Sequence, residues 1–239
     1  MRENNDKIRL VKFIAASGAA SRRRAGDLVK EGKIKVNGQI CLDPSYGVQA
    51  EDKVYLNGKL LAVEEVKYYI ALNKPRGYTC SNQDSHADKL AVELITTPTP
   101  ARLYSVGRLD RESEGLIIFS NDGDFAAKLT HPSFQITKRY IVETDIELNS
   151  NMLQRLMQGI TDDGENLHAD LIEKIAPRKY RFTLSEGKKR EIRRMIKFAN
   201  AQVKRLKRIQ IGNYALPADL PEGDFRLLTS EEVLALQEK

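Results

Sequence analysis

The 239-residue chain has no tryptophan, two cysteines, three histidines and eight prolines, and no apolar run near the roughly 18 residues that cross a bilayer. Each shortage excludes a class. Cys41 and Cys80 cannot build a disulfide framework, and His86, His131 and His168 lie too far apart in sequence for metal-ligand spacing, so no structural metal is expected. Met1 to Lys7 contains no hydrophobic segment that would act as a secretory signal, so a cytoplasmic location without a membrane anchor is expected. What the chain does have is 41% hydrophobic and 30% charged residues, the balance of a packed core under a charged surface. Its length allows one large domain or two small ones.

The formal net charge of +6 is concentrated. Residues 1 to 60 hold 12 Lys/Arg against 7 Asp/Glu, and residues 187 to 210 hold 10 Lys/Arg against the single acid Glu191. Two single-signed concentrations on an otherwise balanced chain are the footprint of a protein that tracks a phosphate backbone. A solvated helix face is the alternative reading of any charge run, but such a face usually alternates in sign.

Ile8, Val11, Ile14 and Ala15 recur at helical spacing behind an Asn5/Asp6 cap and before Gly18. A second helix is predicted from a Ser21 cap to Gly32, with Ala25, Leu28 and Val29 as its apolar face and Arg22, Arg23 and Arg24 in its first turn. Cations there oppose the helix dipole, which suggests an anionic partner. Ile34 to Val36 precedes Asn37-Gly38, and Val54 to Leu56 precedes Asn57-Gly58, each a hairpin signal. Past the Gly- and Pro-free stretch Val63 to Lys67, strand-like runs (Tyr68 to Asn73, Leu116 to Ser120, Tyr140 to Thr144, Tyr180 to Leu184, Arg208 to Ile211) alternate with helix-like ones (Phe125 to Thr130, Asn151 to Gln158, Arg190 to Asn200, Ser230 to Gln237). No Gly-rich loop follows a strand, so the fold class expected is α+β rather than a doubly wound parallel sheet, with domains at 1–62 and 67–239.

The stretch Tyr104 to Phe119 reads as strand, polar turn, strand, with Asp110 at the turn's entry and Ser113 and Gly115 closing it. A carboxylate so anchored suits general-base or nucleophilic work. An Asp that merely caps the turn is the commoner reading of such a residue on composition alone. Asp122 and Asp124 could join Asp110 around magnesium, as in a nuclease, although Asn-Asp-Gly after a strand is more often the turn into a capped helix.

Two resemblances sharpen this picture. Arg9-Leu10-x-Lys12-x-Ile14, Ser21-Arg22-Arg23 and Gly32-x-Ile34-x-Val36-Asn37-Gly38 resemble the alpha-L RNA-binding domain of a small-subunit ribosomal protein. The resemblance implies RNA contacts from Arg9, Lys12, Arg22, Arg23 and Lys33, with Arg24 and Lys30 as extras. Gly107-Arg108-Leu109-Asp110-x-x-Ser113-x-Gly115-Leu116 resembles the catalytic signature of pseudouridine synthases, in particular the RsuA/RluB/RluE/RluF family of ribosomal RNA enzymes. Leu72-Asn73-Lys74-Pro75-x-Gly77, Lys138-x-Tyr140 and Glu186-Gly187-x-x-Arg190-Glu191-Ile192-Arg193-Arg194-Met195 match in the expected order, with Glu191 standing where many relatives have Gln.

That resemblance implies a mixed, mostly antiparallel sheet flanked by helices. It also implies Asp110 as the catalytic carboxylate, Tyr140 as the aromatic packed on the target base and Arg193 as the ion-pair partner of Asp110. Lys188, Lys189 and Arg194 are expected to reach phosphates, and Arg108 either to hold the flipped strand or to form a structural ion pair. The reaction involves no net redox or hydrolysis, so no cofactor is expected. Ribosomal RNA or a ribosomal assembly intermediate is the expected partner of a monomer, and a non-catalytic RNA-binding or assembly factor on the same fold is the alternative.

Overall fold

The computed structural model describes residues 7–81 and 89–238, so the Asn5/Asp6 cap lies outside the described residues. Contacts divide the chain into two units, one running to Lys67 and including Thr97–Arg102 and Asn121–Gly123, the other comprising the remainder. Glu64 shows why the short segments group with the first unit, since its carboxylate accepts from the Arg102 amide (3.2 Å) and from Asn121 Nδ2 (2.6 Å). Among the described residues no helix is long and apolar enough to cross a membrane.

In the first unit, β1 (Ile8–Arg9) pairs with β4 (Gly47–Val48), and β2 (Ile34–Val36), β3 (Gln39–Ile40), β5 (Val54–Leu56) and β6 (Lys59–Leu60) form a sheet in the order β3-β2-β5-β6. Helix α1 therefore starts at Leu10 and runs to Ala16, two residues later than the apolar spacing suggests, because Ile8 is held in extended backbone opposite Val48. Helix α2 (Arg22–Lys30) starts where sequence places it, with Ser21 Oγ accepting from the Arg24 amide at 3.2 Å. Both Asn-Gly pairs make two-residue hairpins, with positive φ at Asn37, Gly38, Asn57 and Gly58, as that turn type demands. Leu10, Ile14, Ala25, Val29, Ile34 and Val54 close the core.

The second unit is α+β. Its mixed sheet runs β13 (Leu171–Ala176), β14 (Lys179–Leu184), β10 (Lys138–Thr144), β15 (Val203–Ile211), β9 (Glu114–Ser120), β7 (Tyr69–Lys74), β17 (Phe225–Leu227), with β8 (Tyr104–Val106) on β9 and β16 (Tyr214–Ala215) on β15. All these pairings are antiparallel except β9 with β15. Every residue of β9 is buried, as expected of a central strand covered on both faces. Two cores result. Val142, Tyr180, Phe182 and Leu206 pack with α4 (Ser150–Gln158), α5 (Glu191–Phe198) and the hairpin β11 (Ile160–Asp162) to β12 (Glu165–Leu167). Ala71, Leu116, Ile118 and Ile211 pack with α3 (Gly123–Thr130) and Leu236, just past α6 (Ser230–Ala235).

The parallel junction of β9 and β15 explains Gly115. Its φ is +97°, and a Cβ there would lie 2.2 Å from the Arg208 carbonyl oxygen and 3.0 Å from the Arg208 amide nitrogen. The obstructing atoms are backbone, so no side-chain movement relieves the clash. Gly115→Ala should therefore destabilise the fold by roughly 2 to 4 kcal/mol, combining left-handed strain with overpacking. The denaturant midpoint tests this, and an unchanged midpoint would show that the two strands part without cost.

Candidate active site

The chain crosses from β8 to β9 through Gly107 to Ser113, and the turn is closed by the Ser113 amide donating to the Asp110 carbonyl at 3.0 Å. Asp110 is thereby fixed at the mouth of a buried strand. Opposite it stands the start of α5. Arg193, with 13% of its side chain exposed, places Nε 3.7 Å from Asp110 Oδ2 and Nη1 3.6 Å from Glu112 Oε2. Its Nη2 donates to the Glu112 carbonyl (3.1 Å) and to Ser113 Oγ (3.2 Å), so the same guanidinium braces the loop and faces its carboxylate. Burial lowers the pKa of Arg193 from its ordinary value, and the charges of Glu112 and Asp110 oppose that shift.

The Asn73-Lys74-Pro75-x-Gly77 motif supports the loop from below. Lys74 is fully buried, and its Nζ donates to the carbonyls of Pro75 (2.8 Å) and Tyr78 (2.9 Å), drawing the chain after β7 into a tight turn. Burial pushes its ammonium down from the usual range, and Cys80 and Glu114 pull the other way. Gly77 in that turn donates to the Arg111 carbonyl at 2.7 Å and accepts from Arg111 Nε at 3.3 Å, which ties it to the residue after Asp110. Asn73 fastens the other side, donating from Nδ2 to the Leu220 carbonyl at 2.9 Å. Cys80 is buried, and burial raises its thiol pKa, which does not suit a nucleophile.

Tyr140 lies half-buried on β10, in register with Phe182 on β14 and Arg208 on β15, and it packs against the core beneath α5. Arg208 is in turn opposite Gly115. Among the described residues no hydrogen bond joins Tyr140 to Asp110. Lys138, two residues earlier, is desolvated to a pKa of about 8, with Arg208 adding to the shift and Glu191 opposing it.

Some expected RNA contacts are engaged elsewhere. Arg194 pairs with Asp162 (2.5 Å) and Glu165 of the β11–β12 hairpin, Lys188 with Glu186 (2.7 Å) and the Asn166 carbonyl, and Arg24 with Glu31 (2.7 Å). The basic run 187–210 is single-signed only along the chain, because folding brings acids from distant segments to it, including Glu114 to Arg205. Arg194 in this way ties α5 to the hairpin. Arg9, Lys12, Arg22, Arg23, Lys33, Arg108 and Lys189 are exposed.

Comparison with known proteins identifies the family. A family model for RNA pseudouridylate synthase matches residues 68–198, and one for the S4 domain matches residues 8–54. The chain belongs to the RNA pseudouridylate synthase family. Relatives include ribosomal large subunit pseudouridine synthase B of Bacillus subtilis, 36% identical over 96% of this chain and 95% of the relative. Ribosomal small subunit pseudouridine synthase A of Escherichia coli is 30% identical over 96% of this chain and all of the relative. A chloroplastic Arabidopsis thaliana protein, a putative ribosomal large subunit pseudouridine synthase, is 37% identical over 95% of this chain, which spans 60% of its length. A crystal structure of a pseudouridylate synthase superposes with a TM-score of 0.71 at 31% identity, covering 96% of this chain and 99% of that one. This pseudouridylate synthase is thus an isomerase with an N-terminal S4 domain.

Glu191 at the head of α5 is the departure noted in the sequence, and its surroundings are unusual for a carboxylate. It is 4% exposed, its Oε2 accepts from the Lys188 amide at 2.9 Å, and its buried carboxyl shares a hydrogen bond with the Glu186 carboxylate. Burial, reinforced by neighbouring Glu186, lifts its pKa from 4.5 to about 7 against the pull of the Lys188 amide. Between those two values the folded protein holds a proton that the unfolded chain has released, so stability falls as pH rises through the window. Glu191→Gln should leave stability near wild type at pH 4.5 and increase it at pH 8 by on the order of 2 kcal/mol. Urea midpoints at the two pH values decide, and a difference independent of pH would show that the carboxyl titrates normally.

Proposed function

We propose that this synthase converts uridine to pseudouridine at a specific site in ribosomal RNA, with Asp110 as the essential carboxylate, Arg193 as its ion-pair partner and Tyr140 as the surface for the extruded base. The observation that carries the reading is the Asp110–Arg193 pair, held on a braced loop at the mouth of β9. The reaction breaks the bond from the anomeric carbon to nitrogen and remakes it to carbon-5 of the same uracil. An anionic carboxylate beside the ribose serves this either by removing the 2-prime proton as uracilate departs or by attacking the anomeric carbon. In both routes the group must be presented in one orientation, and hydrogen bonds from Arg193 to the loop backbone and to Ser113 supply that rigidity.

Residues 1–62 act in this reading as the RNA-holding module, through Arg9, Lys12, Arg22, Arg23 and Lys33, and residues 67–239 as the catalytic domain. Arg108 and Lys189 add contacts near the site. The substrate is ribosomal RNA or an assembly intermediate, which places a monomeric enzyme in the compartment where ribosomes are made. Names of relatives that act on large- and small-subunit RNA support the substrate class.

The test is pseudouridine mapping of ribosomal RNA from cells with and without the gene, in which one site should lose its modification. In the purified protein, Asp110→Asn should reduce turnover by at least about a thousandfold with RNA affinity nearly kept, since losing the one group that does the chemistry costs on the order of 4 kcal/mol. Turnover near wild type would remove Asp110 from the reaction. Arg193→Met should impair activity severely as well, because it leaves the loop without its brace and Asp110 without its partner.

Tyr140 needs a separate test because its ring also fills the core. Stacking a base on an aromatic contributes about 1 to 3 kcal/mol, so Tyr140→Ala should weaken capture of the flipped uridine while Tyr140→Phe keeps it. Binding without product formation in the phenylalanine variant would assign the hydroxyl to proton transfer at carbon-5. Normal activity in both variants would reduce Tyr140 to a packing residue.

A further inference from the structure

Arg193 is not the only cation that faces Asp110. Arg190 places Nη1 3.9 Å from Asp110 Oδ2 and Nη2 3.7 Å from Glu112 Oε2, so two carboxylates and two guanidiniums form one quartet. The two arginines are held very differently. Arg193 is largely buried and donates hydrogen bonds to the loop, whereas Arg190 is 46% exposed and meets its partners only across ion-pair distances longer than a hydrogen bond. Exposed pairs of that geometry contribute little and exchange readily. The backbone at Arg190 is nonetheless fixed in the left-handed region (φ 54°, ψ 30°) as the cap residue of α5, and its carbonyl accepts from the Arg194 amide at 2.9 Å. A mobile guanidinium thus hangs from an immobile point at the edge of the site.

We propose that Arg190 is the clamp for the phosphate flanking the target ribose, and that Glu112 is its parking partner in the RNA-free enzyme. The inference rests on Asp110 as the catalytic carboxylate. If that carboxylate addresses the sugar, the 3-prime phosphodiester of the same nucleotide lies only three bonds from C2-prime, within the sweep of a side chain already within 4 Å of Asp110. A planar fork of donors matches phosphate better than a single ammonium does. Transfer of Arg190 to the phosphate also leaves Asp110 with Arg193 alone, so RNA binding itself would set the electrostatics of the carboxylate. Glu112 competes with the phosphate for the same donors.

The test uses the full chain with in vitro transcripts of full-length small- and large-subunit ribosomal RNA, following whichever accumulates pseudouridine. Arg190→Gln should raise KM about tenfold at low salt, with the smaller part of the loss in kcat, and should flatten the dependence of log affinity on log salt by roughly 0.7, the value for one phosphate on a single strand. Arg190→Lys should restore the salt slope and only part of the affinity. Glu112→Gln should lower KM several-fold, because the competing anion is gone. An unchanged slope in Arg190→Gln, or a loss confined to kcat, would overturn the clamp. Modification of neither transcript, or full activity in Asp110→Asn, would instead bring down the reading of the site, and the clamp with it.

Discussion

A guanidinium that is almost out of water obliges its surroundings to be anionic and fixed, and Arg193 imposes that obligation on this enzyme. Its neighbours meet it from one short loop: the carbonyl of Glu112, the hydroxyl of Ser113 and the carboxylates of Asp110 and Glu112. Because the partners come from the turn between β8 and β9 and the cation from α5, the site exists only when two segments some 80 residues apart in sequence are docked. The docking is not left to the ion pairs themselves. Ile192, Met195 and Ile196 pin the apolar side of α5 into the core, and Arg194 fastens its other side to Asp162 and Glu165.

The loop is braced with the same redundancy. Gly115 allows β9 to meet β15 at a distance that no side chain would tolerate, and Arg208 on the other side of that junction donates from Nε to the Leu116 carbonyl at 2.7 Å. Lys74 tightens the turn after β7, and Gly77 passes that constraint to Arg111. Motif residues far apart in sequence thus serve one end, the immobility of a single carboxylate. On the proposed reading, in which the chemistry falls to Asp110, fixing its orientation in advance matters most, since reorganisation during the reaction would add directly to the barrier.

Much of this was legible in the sequence, and what was not follows a pattern. Local rules sufficed for the Ser21 cap, the two Asn-Gly hairpins, the polar turn carrying Asp110 and the alternation of strands and helices beyond residue 67, because each depends on neighbours within a few positions. The start of α1 was misplaced because Ile8 answers to Val48, forty residues away. The ion pairs of Arg194 were illegible for the same reason: their acids arrive on a hairpin that carries no strong apolar signal. Arg190 matched the motif without an assigned role, and only the fold shows that it is brought to Asp110.

Glu191 shows how the constraint set by Arg193 reaches past the site. The head of α5 must approach the loop that carries Asp110, and in doing so it carries the first residue of the helix into a place sealed from water. A Gln there would satisfy its surroundings without titrating. A Glu can do so only by keeping a proton near neutrality, with Lys188 supplying one amide donor and Glu186 crowding the other side. The residue is therefore tolerable as a neutral hydrogen-bonding group and costly as an anion. Its charge state therefore bears on the stability of the helix that presents Arg190 and Arg193 to the loop.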